Sequence, residues 1–304
     1  MEPTNDLPTE RVLSSALNSG AGRTLHPFLI THPRAFGQSV CRLGLAAYGN
    51  STIAPDDVFY ALEQGINFLN WPGLAEGPTA GDAFSRAVAS LGTRRQSVVV
   101  CAQFGARRAA DAAAELKSAL AILGTDYLDV LTLYYVEKLG EWEEITSPGG
   151  ALGYLRDAKR DGAVRQIGIT SHQRKLAARM ASIGLLDLLM IRYNAAHRGA
   201  EQEVFPVTQS LGLPVIAYTA LRWGALVRPT PDDPPAFSVP RAADWYRFVL
   251  DHPAVSVTLA APQSRTELEE CLRILESAGP LGSEQYALLA GHGERVKRSA
   301  GSFR

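Results

Sequence analysis

Short β-rich apolar runs and stretches of helical periodicity alternate eight times along this chain. The runs are VCRLGLAAY, INFLN, SVVVCAQF, LDVLTLYY, VRQIGIT, LDLLMIRYN, LPVIAYTA and AVSVTLAA, and each is followed by a helical pattern. Two of those patterns, DDVFYALEQG and DAAAELKSALAILG, space apolar residues at i, i+3 or i+4 and stop at Gly65 and Gly124. Repeated strand-helix units of this length imply parallel strands joined by right-handed crossovers, and eight of them make an α/β (βα)₈ TIM barrel. Two segments stand outside the alternation. Residues 1–35 form a polar N-terminal extension, and the proline-rich stretch 226–244, LVRPTPDDPPAFSVPRAAD, reads as a loop after the seventh strand. The expected layout is therefore an extension, 1–35, and a single barrel domain, 36–304, ending in a C-terminal helix.

Composition narrows the function classes. The chain has 304 residues with 46% apolar content, enough for one large core of the size a barrel uses. A formal net charge of −1, without blocks of like charge, argues against nucleic acid and against an anionic membrane surface, leaving small molecules as partners. The three cysteines, Cys41, Cys101 and Cys271, lie far apart without a CxxC pair, so neither a disulfide framework nor a zinc site is expected. With a polar start, MEPTNDLPTERVLSS, and no run of about 18 apolar residues, the expected location is the cytoplasm.

In a barrel of this kind chemistry sits where the strands end at their C-terminal face. The stretches GINFLNWPGLAEG, VVVCAQFG, TDYLDVLTLYY, GAVRQIGITSH and GLPVIAYTALRWG together resemble the aldo-keto reductase superfamily over roughly residues 40–275. In that family an aspartate, a tyrosine, a lysine and a histidine form the carbonyl-reducing centre. Matched motif by motif, they fall on Asn70, Ala75, Gln103 and Tyr134, so all four are replaced. Asn70 and Gln103 remove a carboxylate and an ammonium together. Losing one alone would strand a charge in a partly buried site at a cost of several kcal/mol, whereas the paired loss leaves two neutral amides that can bond each other. One reading is a decayed site kept for packing. The other is a remodelled centre in which Tyr134 supplies the phenol. Without an ammonium beside it that phenol would titrate near its reference value of about 10 and be a weak acid at neutral pH, unless Arg192 or Arg222 approaches.

The resemblance implies NADP(H). It would place Tyr218 against the nicotinamide and Thr170 and Ser171 at its carboxamide, while Met190 stands where a glutamine would hold the same amide. LAAPQSRTELEEC resembles the loop that grips the 2′-phosphate at a helix start; Ser264 and Arg265 are kept, whereas Gln263, Ala261 and Cys271 replace its other binding residues. Ser264 would also serve as a plain helix N-cap.

The remaining candidates each carry two readings. His172 is a proton shuttle or a helix-start cap. Arg192 and Arg198, flanking Tyr193, Asn194 and His197, suggest a carboxylate or phosphate on the ligand, or else Arg198 pairs with Glu201 or Glu203. Trp71 and Trp223 line an apolar pocket or fill the rim, and Tyr48 lines the pocket or packs in the core. Two functions follow. The first is an atypical NADP(H)-linked oxidoreductase acting on a small carbonyl or alcohol. The second is a cofactor-independent lyase, isomerase or dehydratase, or a binding protein without catalysis.

Overall fold

The structure is a computed structural model that describes residues 24–47, 51–76, 82–276 and 279–299. A short hairpin comes first: β1 (Ile30–Thr31) pairs antiparallel with β2 (Val40–Cys41). Eight parallel strands follow: β3 (Leu43–Ala46), β4 (Phe68–Trp71), β5 (Val99–Phe104), β6 (Leu128–Leu133), β7 (Val164–Ser171), β8 (Leu188–Arg192), β9 (Val215–Tyr218) and β10 (Val255–Ala260). Each pairs with the next and β10 returns to β3, closing the barrel. β5 and β6 are buried along their whole length, because helices cover one face and barrel-filling side chains the other.

Side chains alternate in and out with period two, and this rule sets the site. Phe68, Val99, Cys101, Val130, Leu188, Ile216 and Val257 form one inward cluster. Phe36, carried by the hairpin, enters it from below, its ring centroid 5.6 Å from that of Phe68. The β1–β2 hairpin thereby plugs the lower mouth. One more step up the same columns reaches Asn70, Gln103, Met190 and Tyr218 at the upper mouth.

Outside the barrel, Asp129 on β6 is 2% exposed and anchors the crossover layer. Arg95 and Arg165 donate to its two oxygens at 2.8 and 2.7 Å, the backbone N–H of Val100 adds a third bond, and both guanidinium groups lie over the Tyr127 ring. The proline-rich segment after β9 forms neither helix nor strand up to Arg241, but residues 242–244 of the expected loop instead open the helix Ala242–Asp251, and the segment is bound to the helix Ser283–Ser299. Asp233 accepts from Arg295 Nε at 2.6 Å and lies 3.0 Å from His292 Nδ1; the His292 ring stacks on Phe237. Burial alone would raise the Asp233 carboxyl, but the Thr230 N–H, Arg295 and His292 hold it well below the usual carboxylate range.

Candidate active site

A cavity of about 1020 Å³ opens at the C-terminal mouth of the barrel. Asn70, Gln103, Tyr134 and Tyr218 line it together, as the strand-end reading expects, and Tyr135, Thr170 and Met190 join them. The Gln103 side-chain amide donates to Asn70 Oδ1 at 3.2 Å and to Met190 Sδ at 3.1 Å. Both amide hydrogens of Gln103 are spent on these bonds. Met190, expected to be mute toward an amide ligand, is thus an acceptor for the chain's own amide. Asn70 and Gln103 thus form a buried, neutral, mutually bonded couple.

Beside this couple lies an aromatic series. The Tyr134 and Tyr135 rings are 4.0 Å apart between centroids, Tyr135 lies 4.3 Å from His172, and His172 lies 5.9 Å from Tyr218. Tyr135 has φ 43°, a left-handed conformation that is a genuine outlier for a bulky side chain. Its backbone N–H donates to Thr170 Oγ1 at 2.6 Å, and its carbonyl accepts from Arg107. Behind it, Glu137 receives the His172 backbone N–H at 2.7 Å and lies 3.3 Å from the ring Nδ1. Burial lowers the pKa of His172; Glu137 opposes that and Arg192 reinforces it. Tyr218 donates to the Ser171 carbonyl at 3.3 Å, and burial, followed by Tyr135, pushes its phenol well above the ordinary value while Arg192 pulls the other way. Arg192 faces Tyr218 in the β8–β9 register and is itself lowered by burial.

Other expected residues fall elsewhere. Trp71 is 1% exposed, packs in the outer core and donates Nε1 to Asp82 at 2.8 Å, because its position on β4 alternates outward from Asn70; it does not line the cavity. Arg222 is corrected likewise: it is buried and turned to the Val296 carbonyl of the C-terminal helix. His172 and Arg192 stand behind the lining residues rather than among them. Trp223, 59% exposed, does line the rim. Arg198 makes two bonds to Glu201, at 2.7 and 2.9 Å, and one to Tyr286, so the local pairing describes it and it offers no fork to the mouth. Tyr48 lies outside the described residues. Thr170 lines the cavity, its oxygen taken by Tyr135 N–H; Ser171 accepts from Gln173 N–H. Both hydroxyls keep a hydrogen to donate.

Ser264 caps the helix Arg265–Leu272, accepting from the Glu267 N–H. Arg265 reaches away from the cavity, bonded to Asp57 at 3.0 Å and Glu269 at 2.8 Å over the Tyr60 ring. The cavity wall here is formed instead by Gln263, Glu267, Glu270 and Cys271. Arg222 and Trp223 were expected at the pocket, but the backbone of the loop 219–224 that carries them was not legible. Thr219, Arg222 and Trp223 have φ of 57°, 49° and 51°, which no residue preference of theirs announces; only Gly224, at 80°, is a visible signal. Among the described residues no group of His, Cys, Asp or Glu is placed to hold a metal ion, and no helix is long and apolar enough to cross a membrane.

Comparison with known proteins fits this geometry. The chain resembles the structure of an aldo-keto reductase from Bacillus halodurans in both its apo form (20% identity, 86% of this chain and 95% of that one, TM-score 0.68) and its holo form (22%, 84% and 92%, TM-score 0.68). At those identities the likeness speaks for the fold. Among curated proteins it is 25% identical over 116 residues to the NADH-specific methylglyoxal reductase of Escherichia coli (strain K12). That match covers 37% of this chain and only 33% of the relative. The sequence profile described as Aldo/keto reductase family matches residues 43–246, about two thirds of the chain. With the closed barrel, the upper-mouth cavity and this match together, the chain belongs to the aldo/keto reductase family.

Proposed function

We propose that the protein is a nicotinamide-dinucleotide-linked oxidoreductase acting on a small carbonyl or alcohol through a non-standard centre. Aldo-keto reductases act on small carbonyl substrates and generally use NAD(P)H. The observation that carries the reading to this chain is the loop 219–224 directly after Tyr218. It lines the cavity while holding three non-glycine residues in left-handed conformations. Such residues cost about 1–3 kcal/mol each and persist where the surroundings enforce them, typically at ligand clamps. The left-handed turn over Arg222–Gly224 carries the chain along the cavity to Arg228, whose charge would suit a diphosphate.

When bound, the dinucleotide supplies or accepts hydride. Tyr218 would face its ring, Thr170 and Ser171 its carboxamide, and the 219–224 loop its diphosphate. The protein's own part is the proton. Tyr134 lines the cavity and would give it to a carbonyl oxygen there, with the Tyr135 ring tilted against its own. The Gln103–Asn70 couple carries no charge, so it orients but cannot lower a phenol's pKa. Arg192 lies within electrostatic reach of Tyr135 and Tyr218 and is the nearest substitute for the missing ammonium. His172, held by Glu137, positions Tyr135 through their ring contact.

The test begins with fluorescence titration of the four tryptophans by NADH and NADPH, followed by reduction of methylglyoxal, the substrate for which the Escherichia coli relative is named, and of nitrobenzaldehyde. Dinucleotide binding with turnover of simple aldehydes well under about 1 per second is expected, since general acid catalysis is worth about 10²–10⁴-fold. Tyr134→Phe should abolish what turnover there is; an unaffected rate would remove Tyr134 from its role. The spent hydrogens of Gln103 favour one second reading, a dinucleotide-binding protein without catalysis, which binding without any turnover would support. Failure of both dinucleotides to bind at millimolar concentration would defeat the redox reading and leave a cofactor-independent barrel enzyme.

A further inference from the structure

The cavity wall opposite the barrel floor is built in a way that selects between the two dinucleotides. Three hydrogen bonds fix it: Ser51 Oγ donates to the Pro262 carbonyl, and Thr52 donates to the Gln263 carbonyl through both its N–H and its hydroxyl, each at 2.8 Å. The start of the helix Arg265–Leu272, where a phosphate would find N–H groups, is partly engaged by the chain itself. Glu267 N–H goes to Ser264 Oγ at 3.3 Å, an N-cap, and the Glu267 carboxylate accepts from the Gln263 N–H at 2.8 Å. The Glu267 carboxylate thus already sits at the positive end of that helix.

The cation expected to grip a phosphate is likewise committed. Arg265 spends its guanidinium on Asp57 and Glu269 and lies flat on Tyr60, outside the cavity lining. What faces the cavity is Glu267 and, one helical turn on, Glu270. Carboxylates are acceptors only, suited to the vicinal hydroxyls of a ribose and repelled by a phosphate monoester carrying about −1.5 to −2 charges.

On the dinucleotide reading, we infer that this wall receives an unphosphorylated ribose and excludes the 2′-phosphate, so that the protein takes NADH in preference to NADPH. The inference reverses the expectation drawn from Ser264 and Arg265 in the sequence. Arg228 and Arg241 line the same cavity from the loop after β9 and would suit the diphosphate.

The experiment is titration of the purified full chain with NADH and with NADPH, read by tryptophan fluorescence and confirmed by calorimetry. NADH should bind about ten-fold or more tighter, the scale of a like-charge repulsion in a partly solvated site. The double variant Glu267→Gln, Glu270→Gln should bring the two affinities within about three-fold, chiefly by tightening NADPH. Glutamine at position 267 keeps an oxygen to accept the Gln263 N–H, so the variant's melting temperature should match the parent's. Arg265→Ala should leave the NADH:NADPH ratio unchanged. Equal or tighter binding of NADPH, a ratio untouched by the double variant, or loss of NADPH alone on Arg265→Ala or Arg241→Ala would each overturn the inference while leaving dinucleotide binding intact. Absence of binding by either nucleotide would instead sink the dinucleotide reading on which it rests.

Discussion

His197 illustrates how far a single side chain's environment can depart from what its neighbours in sequence suggest. Next to Arg198 it reads as part of a polar ligand cluster, but Arg198 is tied to Glu201, while burial and then Arg192, Arg222, Lys297 and Arg174 lower the His197 pKa to about 4. Its neutral form is favoured by folding. Stability is therefore fully present above the unfolded value near 6.5 and is lost as pH falls from there toward 4. Replacing it with glutamine should recover about 1 kcal/mol at pH 4.5 relative to the parent, after discounting for solvent at the half-buried ring, and should change little at pH 7.5; urea unfolding at the two pH values reads this directly. At this scale the sequence was legible in where strands end, which put Asn70 and Gln103 at the upper mouth, and less so in parity, which turned Trp71 outward. It was opaque where the role depends on what a long side chain meets. Arg265 and Arg222 are identical in type to a ligand-gripping arginine, and only the positions of Asp57, Glu269 and the Val296 carbonyl reveal that they point away.

Among elements, the eight strands were legible because each is a short apolar run between helical patterns, and burial on both faces forbids much else. Their ends were less so: LDLLMIRYN stops pairing at Arg192, since Asn194 turns to bond the Thr219 carbonyl and the Ala196 N–H. The stretch 226–241 was legible as irregular from its prolines, but its attachment was not, because Asp233 and Arg295 are 62 residues apart. This clasp carries a pH signature of its own. A carboxyl held below its ordinary range contributes stability above the unfolded value near 3.9, lost as pH falls through the lower folded one. Asp233→Asn should cost about 3 kcal/mol at pH 7, since it leaves Arg295 partly buried without its charge partner, and the deficit should shrink below pH 4; denaturation midpoints across that range measure it. The helix has little room to adjust, because a Cβ at Gly293 would stand 2.5 Å from the Ala195 carbonyl oxygen.

For the whole molecule, closure of the ring by β10 on β3 places every strand end on one rim, so the location of the site follows from the fold and its chemistry from substitution at a handful of positions. The plugged lower mouth and the Asp129 hub belong to the scaffold; the neutral amide couple and the tyrosine series belong to the cavity at the upper mouth. The loop after β9 joins the two roles, forming the cavity wall on one side and gripping the helix Ser283–Ser299 on the other. Free energies of coupled events are reciprocal, so whatever steadies the wall must steady the helix by the same amount. A dinucleotide in the cavity should therefore slow tryptic cutting after Lys297 and Arg298, whose side chains are about 60% exposed, although neither residue lines the cavity. Asp233→Asn should erase that protection while weakening the nucleotide by an equal factor. Unchanged cutting rates at saturating nucleotide would mean that wall and helix move independently; a protected C-terminal segment would make the far end of the chain a remote gauge of what the barrel holds.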